Sequence, residues 1–193
     1  MSHKDGIRVE LVNEPQHADA VETFERIRAK SGIGNIHRTL ANSPTVFKNF
    51  IGLSHALRYE TDIDPVEREL AICCVLERHD GQYELEPHRR FAKVLGATDE
   101  QIAHVSAPEQ TTCFSERERA ILQFARHIAA DPAERSSYDY RQIEAHLDNR
   151  QRIELGLTLS VYMGLAHFTA LFAVPEEDFS SKDAPSMENA ARK

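Results

Sequence analysis

The stretch "DPVERELAICCVLERHDGQYELEPHRRFAKVLG", Asp64 to Gly96, decides how this chain folds. Asp64 is suited to cap a helix, Pro65 fits its first position, and Glu67 completes the start signal three residues after the cap. The apolar run that follows predicts a helix over Pro65–Arg78. A short polar segment, "HDGQY", then leads into a second amphipathic segment whose buried stripe is Leu85, Phe91, Ala92 and Leu95, with Gly96 placed as its C-cap. Helices joined by so short a link pack antiparallel, which brings facing residues of the two together.

The same punctuation recurs along the chain. "TDEQ" from Thr98, "SERE" from Ser115 and "DNRQ" from Asp148 each offer a capping residue with a Glu or Gln three positions on. Further helices are expected at His17 to Ser31 and at Pro44 to Tyr59. Strand signals are nearly absent, "IRVELV" at Ile7 to Val12 being a weak candidate. The expectation is an all-α fold. Residues 1–179 are expected to form one helical domain and the polar segment 180–193 a disordered tail.

Leu155 to Val174, "LGLTLSVYMGLAHFTALFAV", is long enough to span a bilayer at 1.5 Å per residue. It follows directly on "DNRQRIE" and contains Thr158, Ser160, His167 and Thr169, in a chain with no second such span. A helix covered on all sides, in the core or at a subunit interface, is the expected reading, with no membrane as partner. Tyr162 and His167 within it could line the same cavity as the candidate site residues below, but a hydrogen-bonded core role is the expected reading.

A net charge of −8, with 28% charged residues, argues against nucleic acid as a partner, because an acidic surface repels phosphates. No apolar run opens the chain, so a cytoplasmic location is expected. Cys73, Cys74 and Cys113 make no disulfide framework and read as buried thiols.

His88 falls on the buried stripe of the second helix, and Glu69 adjoins the apolar face of the first. Glu84 stands one turn before His88. Glu84 and His88 would supply two metal ligands where structural zinc takes four and catalytic zinc three, so neither a metal nor a cofactor is expected.

The run from Arg68 to Ile102 resembles the carboxymuconolactone decarboxylase and alkylhydroperoxidase D superfamily. Its "REL" glutamate matches Glu69 and its histidine matches His88, nineteen positions later (88 − 69 = 19). The resemblance covers about residues 43–126 and implies an alkylhydroperoxidase D-like helical bundle that assembles as a trimer or hexamer. In the peroxidase branch two cysteines stand four and seven residues before the histidine. Glu84 and Gly81 occupy those positions here, so the thiol cycle has no nucleophile and no resolving partner. Tyr83, Glu84 and His88 look instead like the cysteine-lacking branch that includes the lactone decarboxylases, although Leu85 stands where an aromatic is usual.

That branch implies acid–base chemistry on a small-molecule carboxylate, a lactone or ring compound. His88 would carry the proton, and Glu69 or Glu84 would orient it. Tyr83, Arg68 and Arg89 are the candidates for substrate contact. Other readings stay open: a non-catalytic ligand-binding or structural oligomer, an acid–base enzyme acting on a different substrate and, ranked below the non-catalytic reading, an alkylhydroperoxidase-like redox protein.

Overall fold

The computed structural model describes residues 6–130, 138–179, 185–186 and 188–189. Among them every regular element is helical and no strand occurs. The chain forms two compact units, one from its first sixty residues together with those after His167, the other from Thr61 to His167. Most of the expected tail, 180–193, lies outside the described residues.

In the first unit, α1 (Ala18–Lys30), α2 (Asn35–Leu40) and α3 (Pro44–Tyr59) surround a small core. Phe24 and Phe47 meet there edge to face with ring centroids 5.7 Å apart, beside Ala20, Ile27 and Ile33. His17 accepts from the Asp19 amide as the α1 cap, and Ser31 closes the helix. Ile7 to Val12 forms no strand. Its backbone makes isolated bonds, Arg8 N to the Phe172 carbonyl and Val12 N to that of Arg38, because no extended partner is offered to a ladder.

In the second unit, α4 (Pro65–Arg78) runs through the centre, with every residue from Arg68 to Leu76 buried. The Asp64 carboxylate accepts from the amides of Val66 (2.8 Å) and Glu67 (3.2 Å), so the cap forms as the sequence requires. α4 ends at His79. Asp80 adopts φ 51°, a left-handed turn that aspartate tolerates, and the Gly81 amide bonds back to the Leu76 carbonyl at 2.9 Å. This tight return lays α5 (Gln82–Leu95) along α4. Gly96, at φ 116°, stops α5 in a conformation that glycine enters without strain.

α6 (Asp99–Ala103), a 3-10 turn at Pro108–Gln110, α7 (Glu116–Ile128) and α8 (Arg141–Glu144) complete the shell. Thr98 with Gln101 and Ser115 with Glu118 form the capping boxes expected for α6 and α7. α9 (Asn149–Phe172) starts after a third, in which Asp148 and Gln151 exchange bonds of 2.8 and 3.1 Å. Ile121, Leu122, Leu155 and Leu159 join the buried residues of α4 in one apolar cluster. Each such side chain contributes roughly 1.5–3 kcal/mol by leaving water.

α9 is only partly covered by the chain's own core. It begins six residues earlier than the apolar run, and the chain does not cover it on all sides. Ile153 is 72% exposed and Leu157 45%, on a row that continues through Ser160 and Gly164 to His167. Its buried row, including Leu155, Leu159 and Ala166, faces the core. By length and composition alone the helix could cross a bilayer.

Candidate functional site

Glu69 lies in the second turn of α4 and His88 at the middle of α5, both within the seam between them. They are 1% and 4% exposed. His88 Nδ1 sits 2.6 Å from Glu69 Oε2. The other carboxylate oxygen, Oε1, accepts from Arg68 Nη2 at 3.1 Å and Nε at 3.2 Å. Arg68 is itself buried, and each oxygen of Glu69 therefore has its own donor.

This arrangement dictates the protonation pattern. A carboxylate held by a guanidinium is an acceptor, so the imidazole donates through Nδ1 and Nε2 becomes the atom through which His88 can exchange a proton. The buried guanidinium offsets the Glu69 charge, without which desolvating the carboxylate would cost several kcal/mol. Two rings fix the imidazole further. Phe91 is tilted against it at 5.7 Å, and Tyr162 of α9 stands edge to face at 4.5 Å.

The other expected residues spread out from this centre. Glu84 is buried one turn before His88 on the same face of α5, and Tyr83 is half-buried in the first turn. Arg89 is held elsewhere, donating to Glu77 Oε1 at 2.7 Å, while Ser106 donates to the second oxygen of Glu77. Its Nε is buried with no hydrogen-bond partner among the described residues. Arg68 and Arg89 thus already hold carboxylates of the protein, and a substrate carboxylate would have to compete with Glu69 or Glu77 for them.

Tyr162, expected in a core role, packs against the core cluster and also meets the His88 ring. α9 is apolar on nearly every face, so its pattern carries no phase to say which residue looks at α5. His167 makes no such contact with His88. It pairs edge to face with His79 at 5.5 Å and is exposed.

Cys73 and Cys74 are buried in the core, as expected, and Cys113 is half-buried. Burial first, and then the nearby carboxylates, of which Glu77 acts on both, push the Cys74 thiol up to about 12 and hold Cys73 well above its ordinary range. Neither is a thiolate at neutral pH. Among the described residues no three His, Cys, Asp or Glu side chains are grouped to hold a metal ion.

The all-helical bundle has the alkylhydroperoxidase D-like fold, and its Glu–His pair stands between α4 and α5 without the cysteine pair. Residues 44–127 match the Carboxymuconolactone decarboxylase family, and the fold is like that of solved alkylhydroperoxidase D-like structures. It is similar to a solved peroxidase-related protein of uncharacterized function from Silicibacter sp. TM1040, at TM-score 0.74 and 15% identity, over 92% of this chain and 96% of that one. A second such structure, an alkylhydroperoxidase AhpD core from Ralstonia eutropha JMP134, gives TM-score 0.74 and 18% identity over 89% and 93%. By sequence the chain is 24% identical over 102 residues to the uncharacterized protein YdfG of Bacillus subtilis (strain 168), covering 52% of this chain and 69% of that protein.

Proposed function

We propose that this protein is an acid–base enzyme of the carboxymuconolactone decarboxylase type, acting on a small carboxylated lactone or ring compound. The observation that carries this reading is the buried His88–Glu69 contact of 2.6 Å, backed by Arg68. Decarboxylation breaks the bond between the substrate carbon and its carboxylate, releases CO2 and leaves the electron pair on carbon as an enolate. His88 Nε2 protonates that carbon, Glu69 steadies the imidazole as its charge changes, and solvent returns the proton. We assign Glu84, one turn away on α5, to assist that return.

The test is a screen of acidic lactones and β-keto acids for CO2 release, with the His88→Ala protein beside the wild type. Turnover by the wild type that falls about 10²–10⁴-fold in the variant supports the reading. The non-catalytic alternative draws on two observations: His88 is almost wholly buried, and both candidate arginines are engaged. Absence of turnover across the panel would favour it.

We further propose that the working form is a homo-oligomer, supported by the exposed row Ile153, Leu157, Ser160 and Gly164 of α9. Light scattering should give a mass that is a multiple of 21.9 kDa at micromolar concentration, and Leu157→Glu should lower it.

A further inference from the structure

The exposed residues of α9 fall at a fixed spacing. Ile153, Leu157, Ser160, Gly164, His167 and Leu171 are all exposed and alternate four and three positions apart, whereas Leu155, Thr158, Leu159, Ala166 and Thr169 between them are buried. Such a row repeats about every 3.5 residues, the period of a seam that one helix offers to another. At 1.5 Å per residue it runs for about 27 Å.

The row is also ordered by size. Large apolar side chains stand at its ends, Ile153 at 72% and Leu157 at 45% exposed on one side and Leu171 at 58% on the other. Its middle is small. A Cβ built at Gly164 meets nothing within 4 Å, so the chain's own fold leaves that point open. The Ser160 hydroxyl donates to the Gly156 carbonyl of its own helix at 2.8 Å and is therefore satisfied when the row is covered.

Turned end for end, the row complements itself. Ile153 and Leu171, Leu157 and His167, and Ser160 and Gly164 each lie equally far on either side of residue 162. A second copy laid antiparallel sets small residue on small at the centre and apolar residue on apolar at both ends. Charge selects the same direction. Arg150 extends the row beyond Ile153 with 59% of its side chain exposed. An antiparallel pair brings it to the carbonyl end of the other α9, where a cation is favoured, whereas a parallel pair sets Arg150 against Arg150.

Resting on the homo-oligomer proposed above, we propose that this face of α9 is covered by α9 of a second copy, packed antiparallel about a two-fold axis level with residue 162. The contact is isologous, so an assembly built on it holds an even number of chains. A dimer or a hexamer satisfies it and a lone trimer does not.

Gly164→Phe tests the packing, since the new ring enters space that no atom of the same chain occupies. Circular dichroism should match the wild type, and light scattering should show at least a twofold loss of mass. An unchanged mass would overturn the pairing. Disulfide capture tests the direction and covers the case in which that variant fails to fold. In a Cys113→Ser background, which removes the one thiol that is not buried, Ile153→Cys and tagged Leu171→Cys chains are co-expressed and oxidised. They should join to each other, while Ile153→Cys chains alone should give roughly a tenth of that yield or less, because antiparallel copies hold those positions far beyond disulfide reach. Ile153→Cys chains that join to themselves would mean a parallel pair and overturn the proposal. A wild-type assembly that yields neither product would overturn it and leave the homo-oligomer standing. A wild-type mass of 21.9 kDa would overturn both, and co-sedimentation of that monomer with neutral phospholipid vesicles would assign the row to a membrane surface instead.

Discussion

His88 Nδ1 and Glu69 Oε2 lie 2.6 Å apart across the α4–α5 seam, and the second oxygen of the same carboxylate holds Arg68. Glu69 is thus the hub of the cluster, and His88 and Arg68 are its spokes. Glu69→Ala should destabilise the fold by about 3–5 kcal/mol, because it strands a buried guanidinium. His88→Ala leaves the Arg68–Glu69 pair intact and should cost less. Urea unfolding of both proteins checks the order, and equal losses would remove Glu69 from its central place.

The thiols make the second prediction. Cys74 is pushed up to about 12 and Cys73 well above its ordinary range, both chiefly by burial, so neither ionises near pH 7. In the native protein, a disulfide reagent should titrate Cys113 first and reach the other two only on unfolding. Hydroperoxide reduction with an external dithiol should be absent. Robust reduction that Cys73→Ala abolishes would contradict the placement.

Much of this was legible in the sequence, and the limits have physical causes. Asp64, Thr98, Ser115 and Asp148 marked their helix starts because capping is a local interaction between residues two or three apart. The Glu69–His88 pairing followed from two amphipathic helices and a short turn. The partners of Arg68 and Arg89 were not legible, since either side chain can reach several carboxylates and only packing selects Glu69 or Glu77. α9 hid its orientation for the opposite reason: a helix apolar all round has no polar face to mark its phase, so the exposed row could not be read from it and the Tyr162 contact stood only as the lesser of two readings.

Gly81 occupies the first cysteine position of the peroxidase branch. A Cβ built there would lie 2.8 Å from Leu76 Cδ2 and 3.0 Å from the Ala166 Cβ. The leucine end can shift, but the alanine moves only with α9. Gly81→Ala should therefore destabilise by about 1–3 kcal/mol, the usual cost of overpacking, and Gly81→Cys by at least as much. A thermal melt that is unchanged or raised in Gly81→Ala would show that the seam has slack.

The last prediction concerns acid. In the first unit, the His37 ring accepts a hydrogen bond at Nδ1 from the Gly34 amide, 3.0 Å away, which requires that nitrogen to be unprotonated. Burial first, and then the positive charges of Arg58 and Arg38, lower this histidine from 6.5 to about 4. The folded state thus binds the proton less readily than the unfolded chain. Its contribution to stability is fully present above about pH 6.5 and is lost as pH falls, until near pH 4 both states are protonated and the loss stops. The full span is roughly 3 kcal/mol, from about 1.4 kcal/mol per unit. Urea unfolding at intervals between pH 7.5 and 4 should show this decline in the wild type. In His37→Gln, whose side-chain oxygen can still accept from Gly34 and cannot titrate, the decline should be shallower by that amount. Parallel curves for the two proteins would mean that His37 does not resist protonation in the folded state.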